Sequence, residues 1–168
     1  MKDELFDIVD EDDNVIGKAT RKEVHAKGHI HRSVLFFLTD GKSKIFVSQR
    51  TATKEFFPEY WSIVFGGHLH TGETYEEAVA RESEEELGLK LKPVFVADYK
   101  LIWLEKKGKD REISKVYALV TDREPKLETS ELKQGSFMTL QEARKKMKKE
   151  KFLPETKDML RIIERFLG

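Results

Sequence analysis

Short apolar runs separated by polar punctuation set the predicted elements of this chain. Phe6 to Val9 and Val15 to Ala19 flank Glu11-Asp12-Asp13-Asn14 and read as two strands of a hairpin. Thr20 with Glu23 three positions on has capping-box spacing and opens a short helix that ends near Gly28. Ser33 to Leu38 and Lys44 to Ser48 are β-prone runs around Asp40-Gly41, which predicts a second hairpin. Trp61 to Phe65 predicts a strand delivering the chain to Gly66-Gly67. Thr74 with Glu77 starts a second helix, and Gly88 stops it. Val94 to Leu104 and Ile113 to Val120 read as long strands flanking a charged turn, Glu105 to Arg111. A short strand, Ser136 to Thr139, leads into a helix from Leu140 to about Lys149, capped by Thr139 and Glu142. Pro154 opens a last helix, in which Met159, Leu160, Ile162, Ile163, Phe166 and Leu167 recur at helical spacing and should cover a sheet. Many strands with interspersed helices argue for one layered α/β domain over residues 1–168, with no repeat or linker.

Composition narrows the class. The 168 residues suffice for one domain with a substantial core and are short for two. Lys plus Arg and Asp plus Glu number 31 each, so no global field recruits nucleic acid or a membrane surface. The absence of cysteine excludes disulfides, thiolate metal sites and cysteine nucleophiles together. The N-terminus does not read as a signal peptide and no apolar run approaches bilayer length, so a cytoplasmic location is expected. Lys145, Lys146, Lys148 and Lys149 read as the solvated face of a helix, and Trp61 and Phe65 as core aromatics.

The chemistry concentrates between Gly67 and Leu89. At about 100° per residue, Glu82, Glu85 and Glu86 share one helix face, whereas Glu77 and Glu84 project elsewhere as a solvated acidic surface. Like charges so close are unfavourable without a compensating cation, and oxygen-only clusters suit a hard divalent ion such as magnesium. Val79, Ala80, Ser83 and Leu87 lie on the adjoining arc and can pack on a sheet. With no cysteine and no serine nucleophile motif, the natural attacking group is water. A divalent metal can acidify it while neutralising developing phosphate charge.

This segment resembles the Nudix box, G-x(5)-E-x(7)-R-E-U-x-E-E-x-G-U, where U is a bulky aliphatic. Gly67, Glu73, Arg81, Glu82, Glu85, Glu86, Gly88 and Leu89 match it, and Ser83 departs from the aliphatic expected there. The resemblance implies an α/β/α sandwich around a mixed β-sheet. It implies Mg²⁺ or Mn²⁺ held by Glu82, Glu85 and Glu86 with the Gly66 carbonyl, and Glu73 paired with Arg81. Glu82, Glu85 and Arg81 would form the catalytic set, together with a carboxylate beyond the box that acts as general base. Glu131 best fits that role by its distance from the strand at Ser136, with Glu128 and Glu112 as alternatives. The implied substrate is a small molecule, a nucleoside diphosphate linked to another group, with no membrane or nucleic acid partner; a homodimer is compatible. A non-catalytic ligand-binding Nudix domain is the alternative, but it has no reason to bear the repulsion among three carboxylates.

A second resemblance covers roughly residues 5 to 120. Asp7-Ile8-Val9-Asp10, His25, His31-Arg32, Gln49-Arg50, Phe57-Pro58, Trp61 and Gly67-His68 are collinear with type I isopentenyl diphosphate isomerase, a relative of the same fold. That isomerase needs a cysteine just before the Gly-His pair, where this chain has Gly66. It also holds a metal with histidines, matched by His25, His31 and His68, and with two glutamates two residues apart on a later strand. Ile113-Ser114-Lys115-Val116 offers no such pair, and His25 to His31 is one residue short, so isomerisation is disfavoured and a hydrolase of the isomerase-like branch is expected.

Overall fold

Phe36 and Phe37, adjacent on one strand, enter two different cores. Phe36 packs with Val34, Leu38, Phe65, Tyr117 and Leu119; Phe37 packs with Ile45, Val47, Val116, Ala118 and Ile163. A strand that alternates sides in this way, apolar from Val34 to Leu38, is buried on both faces over that run. The structure, a computed structural model, describes residues 4–105 and 108–168.

Among the described residues one mixed nine-stranded sheet separates these cores. Its strands are β1 (Leu5–Val9), β2 (Val15–Thr20), β3 (Ile30–Thr39), β4 (Lys44–Arg50), β5 (Trp61–Ser62), β6 (Phe65–His68), β7 (Val94–Glu105), β8 (Gly108–Val120) and β9 (Leu132–Thr139). Helix α1 (Arg21–Lys27) follows β2, and α2 (Tyr75–Leu87) covers one face through Ala78, Val79 and Leu87. Helices α3 (Leu140–Met147) and α4 (Thr156–Leu167) cover the other through Ala143, Met159, Leu160 and Ile163. This is the α/β/α sandwich expected. Burying each such Phe, Leu or Ile contributes about 1.5–3 kcal/mol.

Four features differ from the sequence expectation. β3 and β4 pair only at Thr39↔Ile45 and then diverge, so the expected hairpin is a fork. β3 continues beside β6 and parallel β8, while β4 continues beside β5 and β9. The expected Trp61–Phe65 strand breaks at Ile63-Val64 to cross this fork, with the Ser62 hydroxyl donating to the Val64 carbonyl at 2.6 Å. The charged turn shrinks, because β7 and β8 pair through Ile102↔Arg111 to Glu105↔Gly108. Charged residues there extend a long antiparallel ribbon instead of ending it. The last helix begins at Thr156 with Glu155 as its N-cap, two residues beyond the expected start at Pro154.

Candidate active site

Glycine lets β6 run directly beneath α2. A Cβ on Gly67 would collide with the Glu82 carboxylate, and one on Gly66 would stand 2.6 Å from the Val34 carbonyl oxygen. The helix begins with the expected capping box, Thr74 and Glu77, and ends at Gly88 with φ +61°. Ser83, the departure from the box, is fully buried, and its hydroxyl donates to the Ala80 and Leu89 carbonyls at 3.1 Å each. The hydroxyl thereby ties the helix to its exit, and no polar atom is stranded.

Arg81 is the hub of the acidic edge. Its Nε donates to Glu73 Oε1 at 2.8 Å, its Nη2 to Glu73 Oε2 and the His68 carbonyl at 3.0 Å each, and its Nη1 to Glu82 Oε1 at 2.6 Å. Glu85 Oε2 lies 3.6 Å from the same Nη1. The Glu73–Arg81 pair expected from the sequence therefore forms, and it fixes the loop to the helix. Burial pushes the Glu82 carboxyl up, partly offset by Arg81. Burial, with the nearby Glu82 charge, pushes Glu86 to about 7 against the opposing pull of Lys54 and Arg50.

Gly66, Arg81, Glu82, Glu85, Glu86 and Glu131 all line one cleft of about 710 Å³. The oxygens of Glu82, Glu85 and Glu86 do not converge to within 4.8 Å, as Arg81 draws the first two toward itself. Glu131 makes an ion pair with Lys54. Glu128, the alternative base, accepts from the Ser130 hydroxyl at 3.1 Å, and its backbone N–H donates to the Glu86 carbonyl at 2.9 Å. Glu112 sits on β8 in an adjoining cavity of about 220 Å³, which Glu86, Glu131 and Lys54 share with the cleft.

The acidic pair judged absent from the strand at Ile113 is present one step earlier. Because β8 begins at Gly108, Asp110 and Glu112 lie two residues apart on one face of it. The parallel register sets Glu112 opposite His31, and Ser33, two residues on, pairs with His68 of β6. His25 Nε2 and His31 Nε2 each stand 3.6 Å from Asp110 Oδ1; His31 Nε2 is 3.8 Å and His68 Nε2 3.1 Å from Glu112 Oε1. The one-residue shorter spacing from His25 to His31 thus does not keep the rings apart.

Each of two rings is oriented from behind, His25 Nδ1 by the Arg21 carbonyl at 2.7 Å and His31 Nδ1 by the His29 carbonyl at 3.2 Å. This leaves both Nε2 lone pairs facing the centre, the arrangement of metal-ligating imidazoles. His31 is fully buried, and its Nε2 and Asp110 Oδ1 have no hydrogen-bond partner among the described residues. Burial lowers the His31 pKa to about 4, keeping it a neutral donor. Two sets, His25/His31/His68 and His31/Asp110/Glu112, offer ligand atoms within 4.8 Å of one another. Strand alternation puts His68 on the face of β6 opposite Gly67, so this set and the α2 carboxylates flank the same strand. Asp110, Lys54 and Glu155 of this region were not singled out from the sequence. Only Asp110-x-Glu112-x-Ser114 carried a readable signal, a period of two.

A family model described as NUDIX domain matches residues 29–160. An uncharacterized Nudix hydrolase of Streptomyces coelicolor is 46% identical over 86 residues, 51% of this chain, and the match spans only 48% of that relative's length. Isopentenyl-diphosphate Delta-isomerase 1 of Photorhabdus laumondii is 32% identical over 141 residues, covering 80% of this chain and 79% of the isomerase. The crystal structure of DR0079 from Deinococcus radiodurans superposes with a TM-score of 0.76 at 24% identity, covering 94% of this chain and 98% of that one, a likeness of fold.

Proposed function

The chain belongs to the NUDIX domain family, and on that footing we propose that it is a divalent-cation-dependent hydrolase that cleaves the diphosphate linkage of a nucleoside diphosphate joined to another group. The observation that carries this is the gathering of Glu82, Glu85 and Glu86 on one cleft, where burial and the neighbouring Glu82 charge drive the Glu86 pKa up to about 7. Oxygen donors of this kind fit Mg²⁺ or Mn²⁺. Glu82, Glu85, Glu86 and the Gly66 carbonyl would hold the ion, after Glu82 and Glu85 exchange Arg81 for it. When bound, such an ion neutralises phosphate charge and lowers the pKa of water. Arg81 anchored on Glu73 keeps the helix edge in place, and Lys54 brings positive charge to both the cleft and its adjoining cavity. Glu131 would accept the proton of the attacking water.

The set formed by His25, His31, His68, Asp110 and Glu112 supports a second cation locus and favours one further reading, isomerase chemistry. Against it stands Gly66 in the place of the required cysteine. A cysteine there would set its Cβ 2.6 Å from the Val34 carbonyl oxygen, so β6 and β3 would have to part to accept it. The deciding experiment is a screen of nucleoside diphosphate derivatives with Mg²⁺, followed by release of phosphate-containing products, run beside isopentenyl diphosphate. Cleavage of a nucleotide derivative and no dimethylallyl diphosphate above buffer is the expected result. Isomer formation without cleavage would replace the hydrolase with the isomerase.

A further inference from the structure

The fork between β3 and β4 contains polar atoms that no group among the described residues satisfies. Ser48 on β4 is 1% exposed, and its hydroxyl has no hydrogen-bond partner among the described residues. The same is true of Arg50 Nε, two positions on, and of Glu155 Oε2. All three residues line the cavity of about 220 Å³ that opens beside Gly66 and Glu86. Their placement is fixed by the backbone. Ser48 and Arg50 share one face of β4, and the segment before α4 is strapped to β5 by Trp61 N–H to the Lys151 carbonyl at 2.8 Å and Leu153 N–H to the Trp61 carbonyl at 3.0 Å. Glu155 follows directly from that strap.

Unpartnered buried polar atoms are uncommon in proteins, and several in one cavity point to a ligand that completes them. Arg50 Nε can only donate, the Glu155 carboxylate accepts, and the Ser48 hydroxyl does either. Leu35, Val64, Leu132 and Leu153 form apolar walls of the same cavity, suited to the faces of a flat ring. Its volume is below the about 300–1,000 Å³ that encloses a whole drug-sized ligand. It therefore takes one ring of a larger molecule, whose remainder lies in the adjoining cleft.

We propose that this cavity is the specificity pocket for the nucleobase of the substrate, with Glu155, Arg50 and Ser48 reading a ring edge that carries a hydrogen-bond acceptor beside a donor. For the position of the diphosphate it rests on the hydrolase function proposed above. A hydrocarbon chain would fill the walls but strand all three polar groups, so the pocket discriminates against isoprenoid diphosphates.

The test is calorimetric titration of the whole chain, with Ca²⁺ in place of Mg²⁺, using uridine diphosphate, adenosine diphosphate, isopentenyl diphosphate and inorganic pyrophosphate. At least one nucleotide should bind about tenfold or more tightly than both pyrophosphate and isopentenyl diphosphate, the effect of one well-made polar contact. Glu155→Leu and Arg50→Met should each remove about tenfold of that preference and leave pyrophosphate binding within about twofold, while Glu155→Gln retains part of it. Equal affinity of the wild-type chain for all four compounds would overturn the proposal, even if a variant fails to fold. So would variants that weaken all four alike. Nucleotide preference in Ca²⁺ with no cleavage in Mg²⁺ would support the pocket and remove the hydrolase; cleavage without preference would do the reverse.

Discussion

His68 Nε2 lies 3.1 Å from Glu112 Oε1, across 44 positions of sequence. The contact exists because β3 pairs with β6 on one side and runs parallel to β8 on the other, bringing both residues to one face beside His31. A set of imidazoles turned by carbonyls behind them, with two carboxylates between, suits zinc or manganese better than magnesium. The chain purified with Zn²⁺ or Mn²⁺ should retain about one such ion per molecule more than the His31→Ala protein, by elemental analysis after dialysis. Glu112→Gln should lose affinity by about 10–100-fold. Equal metal content in all three proteins would remove this locus.

Glu86 gives the cation-free protein a pH dependence of definite sign. Its carboxyl is raised from an ordinary 4.5 to about 7 in the fold, first by burial. The folded state therefore binds more protons than the unfolded state between these values, and stability falls as pH rises through that window. Denaturant unfolding in chelator should show wild type losing about 1–3 kcal/mol more than Glu86→Gln between pH 4.5 and 7.5. Mg²⁺ should reverse the difference, because it favours the ionised form. Parallel pH profiles for the two proteins would contradict the burial of an unpaired carboxylate.

The two adjacent glycines of β6 should respond differently to alanine. At Gly67 the new methyl meets only the end of the Glu82 side chain, which can swing away; at Gly66 it meets the Val34 backbone carbonyl at 2.6 Å. Gly66→Ala should destabilise by about 1–3 kcal/mol or more through strain between β6 and β3. Gly67→Ala should leave the melting temperature closer to wild type but weaken Mg²⁺ binding, because Glu82 is displaced. Calorimetric metal titration beside thermal melts separates the two, and a reversed order of stabilities would count against this packing of α2 on β6.

How far these features can be read from the sequence depends on how local they are. The capping boxes at Thr20/Glu23, Thr74/Glu77 and Thr139/Glu142 all form, because each needs only residues three apart. The Glu73–Arg81 pair was implied by the Nudix resemblance, and it forms between residues of one loop and helix. The fork of β3 and β4 was not, because Asp40-Gly41 reads the same whether the strands stay together or part. Asp110 was hidden by its charged neighbours, which resemble a turn until the non-local pairing with β3 and β7 is known. Glu155 lies 66 positions beyond the nearest box residue, Leu89, and only the strap to β5 reveals its cavity.

Glu131 is the proposed proton acceptor, and its surroundings give a specific expectation. It lines both the acidic cleft and the adjoining cavity, whereas Glu128 lines only the cleft and is turned back to Ser130. Glu112 is held by His68 and by the Ser33 hydroxyl, which keep its pKa low despite burial and make it a poor choice to take a proton. Lys54, paired with Glu131, holds the carboxylate over the cleft until a diphosphate competes for the lysine. Glu131→Gln should then lower kcat by about 10²-fold or more with little change in KM, since it removes the proton acceptor and little of the substrate binding. Lys54→Met should instead raise KM, because a cation facing the diphosphate is lost. A Glu131→Gln enzyme with near-normal turnover, beside a crippled Glu128→Gln or Glu112→Gln enzyme, would move the base to that other residue.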